Sequence, residues 1–205
     1  VSVRDVLERR LDEMDAVYIT RYSVAEKYID VIKAKGKPVI FNNADLHFLR
    51  EIRAAITAED ERWKGCHIKT TSLFANTRLR NLAANQGAAE AILIHNGYLT
   101  EGASSSVFIV SKGGAIYTPP LGSNILPGIT REVVIQLSSS MGVPVIEEKI
   151  VISRLRSANE IWLTNTSFGI RCVSVLDGGV VGDGHHYEVA KRFHKQLSIE
   201  KGIIL

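Results

Sequence analysis

Cysteine is scarce in this chain. Cys66 and Cys172 are the only two among 205 residues, far apart and without partners at metal-ligand spacing. That excludes a disulfide framework and a cysteine-based zinc centre. It fits a reducing compartment, so a cytoplasmic location is expected. An excess of one charge is also missing: Lys+Arg 25 against Asp+Glu 22 leaves +3, with the signs interspersed. No basic patch therefore marks a nucleic-acid partner. No apolar run reaches membrane-span length and no signal peptide opens the chain, so no membrane partner is expected. Repeats, low-complexity tracts and long linkers are absent too. His185-His186 lacks further ligands at suitable spacing, so it reads as a polar loop and no metal is expected.

What is present is an ordinary globular composition, 45% hydrophobic and 23% charged. At this length roughly 70% of the unfolded surface is buried on folding, enough for a core without staples. The patterning is mixed α and β, an α+β chain. Ser2 can cap a helix with apolar positions Val3, Val6, Leu7, Leu11 and Met14. "AVYIT" (16–20) and "KPVIF" (37–41) read as strands. A connector at 42–53 divides a small domain (1–41) from a large one (54–205). "IKT" reads as a strand end carrying Lys69, and "LFANTRLRNLAANQG" as a helix closed by Gly87. "EAILIHNGYLTEG" is a hairpin about Asn96-Gly97, and "SSVFIVSKGGAIYT" repeats the pattern about Gly113-Gly114. "LPGITREVVIQLSSSMG" enters a helix that ends near Gly142. "EIWLTN" and "RCVSVLDGGVV" are strands, and "HYEVAKRFHKQLSIEKG" is a terminal helix.

Four features bear on chemistry. Lys69 is either a strand-end lysine reaching water or a buried amine neutral enough to attack an aldehyde. Glu101 in "LTEGASSSVF" is either a turn carboxylate or the partner of a protonated ring nitrogen. Gly128, Ile129 and Thr130 in "LPGIT" precede a helix, so free backbone N–H groups and the helix dipole face one point. That is either an ordinary capped helix or an anion site suited to a phosphate. Asn165, Thr166 and Ser167 in "LTNTSFG" form a polar turn or supply further phosphate donors.

A lysine, a carboxylate and two phosphate-binding turns are the parts of a pyridoxal phosphate (PLP) site. Their order resembles the fold-type-IV PLP enzymes, the class IV aminotransferases, over roughly residues 16 to 195. "RWKGCHIKTTSL" resembles the lysine segment, which implies a Schiff base on Lys69 and makes it the catalytic proton carrier. "GAAEAILIHNGYLTEGASSSVF" resembles the glutamate segment, which implies that Glu101 holds the ring nitrogen. "ILPGITREVV" resembles the phosphate loop, with Leu126 against the ring and Gly128, Ile129 and Thr130 at the phosphate. "LTNTSFGI" resembles the second phosphate turn, with Asn165 and Thr166.

The resemblance implies a homodimer acting on a small amino acid and a 2-oxo acid. A lyase of the aminodeoxychorismate type, or an inactive relative serving only binding or assembly, are the alternatives. An "FGDG"-type segment and an arginine for the cofactor phosphate precede these motifs in the family and do not occur here. Residues 1–41 are therefore expected to be the second half of the small domain. Glu26 and Tyr28 stand where an Arg-x-His carboxylate trap is found in D-amino-acid aminotransferases, so the residues that bind the substrate are not identified by the motifs.

Overall fold

The structure is a computed structural model and describes residues 17–19, 39–41, 53–184 and 187–200. The helix expected from Ser2, the positions Glu26 and Tyr28, the connector at 42–53 (save its last residue) and the His185-His186 pair lie outside the described residues. In the first compact unit, β1 (Val17–Ile19) pairs in parallel with β2 (Val39–Phe41).

The second unit, Glu51–Leu197, carries the sheet that builds the site. Its elements are β3 (Arg53–Glu59), α1 (Phe74–Asn85), β4 (Glu90–His95), β5 (Tyr98–Gly102), β6 (Ser106–Val110), β7 (Ile116–Thr118), α2 (Ile129–Ser140), β8 (Val145–Glu147), α3 (Ile152–Arg156), β9 (Glu160–Asn165), β10 (Gly169–Leu176), β11 (Gly179–Val180) and, as far as Leu197, α4 (Glu188–Glu200). The strand order is β5-β4-β3-β10-β9-β6-β7-β8, with β11 on β10, in one nine-stranded sheet. The pairs β3–β4, β3–β10 and β7–β8 are parallel and the rest antiparallel. Hairpins and strand–helix–strand crossovers thus share one sheet, as the α+β reading expects.

Local chemistry explains the joints. Asn96 (φ 50°) and Gly97 (φ 80°) both take the left-handed conformation, the requirement of the tight turn joining β4 to β5. Helix α1 ends on Gly87, also left-handed. The Gly87 N–H donates to Ala84 O at 3.0 Å and the Ala88 N–H to Ala83 O at 2.9 Å, a complete Schellman closure.

The core has distinct compartments. Leu79 and Ala83 of α1 pack on Ile56, Ala91 and Leu93. The alternate residues Ile92 and Ile94 point the other way, into a cluster with Val107, Ile109, Leu155, Ile161 and Leu163. Strand β4 is therefore buried on both faces, which is why it reads as a continuous apolar run. Trp162 stacks with Phe108 and with Phe193 of α4, at ring-centroid distances of 6.2 and 5.3 Å. Glu160, buried beside them, accepts from Trp162 Nε1 (2.8 Å) and from the N–H groups of Val189 (3.1 Å) and Ala190 (3.0 Å) at the start of α4. Burial raises the Glu160 carboxyl above the usual range against the lowering by these donors.

Two sequence expectations are corrected. The strand leading to the lysine is Arg53–Glu59, not "IKT"; residues 60–73 form an irregular segment with turns before α1. Strand β8 and the short helix α3 had no clear signature in the pattern.

Candidate active site

The segment between β3 and α1 is the centre of the site. The β3–β4 ladder continues one step past β3, through Asp60 N–H to Ile94 O at 2.8 Å. From there the chain turns back on itself. Arg62 grips Asp60 with a two-pronged fork, Nε to Oδ1 and Nη2 to Oδ2, both 2.8 Å. The other prong, Nη1, reaches Glu101 Oε1 on β5 at 2.5 Å. Nη2 also donates to Asn124 O at 3.0 Å, and Thr100 Oγ1 donates to Asp60 Oδ2 at 2.7 Å. All three ionic side chains are nearly sealed, at 3% (Arg62), 4% (Asp60) and 7% (Glu101) exposure.

Burial pushes the Asp60 carboxyl up, but the hydrogen bond and charge of Arg62, with Thr100, bring it below the usual carboxylate range. For Glu101 burial wins over Arg62 and the Leu126 N–H, and its carboxyl sits above the usual range. The guanidinium is pushed down by burial and held up more strongly by the two carboxylates, so its proton is retained.

Lys69 lies further along the same segment. The segment is held by His67, whose backbone N–H and Nδ1 contact Ser123 O at 3.4 and 3.2 Å, and by Cys66 Sγ on Trp63 O at 2.9 Å. A Cβ at Gly65 would stand 2.5 Å from the Trp63 ring, so only glycine lets the indole lie there. Of the two readings of Lys69, burial is corrected and reach to water holds, though from a loop rather than a strand end: Lys69 is exposed, and its Nζ makes no hydrogen bond among the described residues. The reason is local. The last ladder bond is made by Asp60, and the chain from there through the turn at 64–67 to Lys69 belongs to no strand.

Glu101 is joined to the third feature directly. Its Oε2 accepts the Leu126 N–H at 3.0 Å, in the loop that enters α2. Gly128 is the N-cap of α2, with extended backbone and no side chain to cap the helix. The backbone N–H groups of Ile129, Thr130 and Arg131 follow, the positions left without helical partners. Thr130 is buried and Ile129 is 73% exposed.

The fourth feature meets the third at the head of β6. Ser106 pairs with Thr164 across the sheet, and a Cβ at Gly128 would lie 3.0 Å from Ser106 Oγ. Asn165 Oδ1 accepts from the N–H groups of Ser167 and Phe168, both at 3.0 Å, and its Nδ2 donates to Ser104 O at 3.2 Å. Its amide is spent on shaping the turn, which leaves Thr166 exposed at the tip. The bend at 103–105 is fixed in turn by buried Glu90, which accepts from Ser104 Oγ (2.8 Å) and Ser105 Oγ (3.0 Å), and by Asn76 Nδ2 on Ala103 O (2.8 Å).

Sequence reasoning missed Arg62, Asp60 and Glu90. The available signal was "EDERW" directly ahead of the lysine segment. A carboxylate two residues before an arginine, just after a strand, was readable as a fork but passes equally for a solvated charge run.

A family model described as amino-transferase class IV matches residues 22–176. The chain belongs to the class IV aminotransferases. The D-alanine aminotransferase of Staphylococcus epidermidis (strain ATCC 35984) is 41% identical over 149 residues, covering 73% of this chain and 52% of that protein. The D-alanine aminotransferase of Bacillus licheniformis is 40% identical over 131 residues, 64% of this chain and 46% of that one. This class IV chain thus spans about half the length of the curated relatives it matches. Among solved structures, the branched-chain amino acid aminotransferase of Escherichia coli has a TM-score of 0.65 at 29% identity, over 74% of this chain and 51% of that one. A 4-amino-4-deoxychorismate lyase described as putative, from Legionella pneumophila, has a TM-score of 0.66 at 24% identity, over 73% and 56%, a likeness of fold.

Proposed function

We propose that this chain carries the PLP-binding part of a class IV aminotransferase, acting on a small amino acid and a 2-oxo acid. The observation that carries the reading is the Glu101 carboxylate. It is buried, anchored on one oxygen by Arg62 and on the other by the Leu126 N–H of the loop leading into α2. A group suited to a cationic ring nitrogen is thereby tied to a helix start suited to a phosphate.

The residues present fit PLP on the site's own charge. Asp60, Arg62 and Glu101 sum to one net negative charge in a sealed setting, and a pyridinium would balance it. Lys69 would hold the cofactor covalently through Nζ, and its exposure leaves that nitrogen accessible to an aldehyde. Ile129 and Thr130, with the uncapped Gly128 turn, and Thr166 would hold the phosphate. Asn165 would shape the Thr166 turn, and Leu126 would lie beside the ring. When bound, the cofactor supplies the electron sink for breaking a Cα–H bond. Lys69 Nζ would carry the proton from Cα, and Glu101 would hold the proton at the ring nitrogen.

Residues 1–41 are proposed as part of a small domain, 42–53 as the connector and 54–205 as the PLP-binding domain. A cytoplasmic homodimer is part of the same proposal. Among the described residues no helix is long and apolar enough to cross a membrane. The relatives named D-alanine aminotransferase make a small D-amino acid the first substrate to test. The test is reconstitution with PLP, borohydride reduction and peptide mapping. We expect the label on Lys69, with none on a Lys69→Ala variant and a spectral half-reaction with D-alanine. A label confined to other lysines ends the proposal.

A further inference from the structure

The Asp60–Arg62–Glu101 chain raises a question that a simple ion pair would not. A guanidinium given wholly to Glu101 would neutralise it, and a neutralised carboxylate holds a ring-nitrogen proton poorly. The geometry divides the guanidinium. Its fork, Nε and Nη2, goes to Asp60 with two bonds of 2.8 Å, and only Nη1 goes to Glu101. Asp60 is itself braced by Thr100 Oγ1 and by its own place just past the β3–β4 ladder. The bidentate arrangement is the stronger of the two.

We propose that Asp60 is a positioning residue that draws the charge of Arg62 away from Glu101, leaving Glu101 a more basic carboxylate whose charge is only partly balanced and so is available to a ligand cation. The inference rests on the PLP reading for the identity of that cation. The relay itself rests on the protein's own side chains. Among the described residues, the titratable and charged groups that face Glu101 are Arg62, Asp60 and the Cys66 thiol of the lysine loop. Burial raises the thiol above its usual range, so it stays neutral and leaves the division of charge to the other three. The direction of the Glu101 carboxyl, raised by burial and in part by Asp60, agrees with a carboxylate that Arg62 does not fully neutralise.

The experiment has two readouts. In the unloaded protein, carboxyl-13C NMR follows the titration of Glu101. In the PLP-loaded protein, 15N NMR of the labelled ring nitrogen follows its protonation. With Asp60→Asn, Arg62 belongs to Glu101 alone. The Glu101 midpoint should fall by about one pH unit, a tenfold change in proton affinity, and the ring nitrogen should lose its proton at correspondingly lower pH. Asp60→Glu, which keeps the charge, should restore both towards wild type. A Glu101 midpoint unmoved in Asp60→Asn overturns the relay, as does Asp60→Glu behaving like Asp60→Asn. If Asp60→Asn does not fold, the wild-type titration decides: the Glu101 signal must show a second inflection at the midpoint of Asp60, and its absence overturns the relay. A wild-type protein that takes up no PLP on Lys69 overturns the reading of the site instead, while the unloaded Glu101 titration still judges the relay.

Discussion

At the scale of single residues, Arg62 holds the site together. It joins the end of β3, the end of β5 and the loop ahead of α2 through Asp60, Glu101 and Asn124 O. Removing it leaves two buried carboxylates facing each other with no cation between them. Breaking a buried pair from one side costs about 3–5 kcal/mol. We therefore expect Arg62→Ala to lower the unfolding free energy of the unloaded chain, read from urea denaturation, by that much, far beyond the loss of a surface ion pair such as Arg156–Asp177. A change under about 1 kcal/mol, of the size typical of exposed pairs, would show that water reaches the triad. Glu101 and Lys69 could be singled out as candidates from the sequence because each sits in a segment with a distinctive neighbourhood. Arg62 could not, because its meaning depends on Glu101, a partner on another strand.

At the scale of elements, α1 shows what sets a stability cost. Leu79 is buried between α1 and the sheet, so Leu79→Ala should cost about 2–5 kcal/mol through a cavity. Gly87 closes the same helix, yet a Cβ there would meet nothing within 4 Å. Its substitution by alanine bears only the left-handed backbone penalty, about 1–2 kcal/mol. Equilibrium unfolding of the two variants should show that gap. Equal losses would mean that α1 docks without Leu79. The same element explains a miss in the sequence. Strand β3 carries Ala54, Ala55 and Ala58, and alanine is a weak strand signal. The structure supplies the reason for small residues: Ala54 and Ala58 flank the cluster under α1. The hairpins and the helices α1 and α2 were legible because their turns and caps are encoded locally, in Asn96-Gly97, Gly87 and Gly142. Strand β8 and the five-residue α3 were not, since each depends on neighbours for its order.

At the scale of the whole molecule, four carboxylates among the described residues set an acid–base profile. Asp60 and Asp177 are held below the usual range: burial raises each, and the Arg62 and Thr57 hydrogen bonds respectively lead the lowering. Their stabilisation is complete above the ordinary carboxylate value and is lost as pH falls through the lowered ones. Glu101 and Glu160 are raised by burial. Their contribution is complete below the ordinary value and is lost as pH rises through the raised ones. The unloaded chain should therefore gain thermal stability on mild acidification from neutral pH and lose it in stronger acid. Melting temperatures across that range test this, and a monotonic fall from neutral pH would contradict it. Finally, β3 lies between β4 and β10, so the strand that launches the lysine segment pairs with residues far downstream, as Thr57 does with Asp177. On a ribosome, β3 waits with one edge open until residue 176 has emerged, although β4 and β5 can already pair. The order of synthesis thus makes β3, and with it the start of the segment that carries Lys69, among the last parts of this unit to settle.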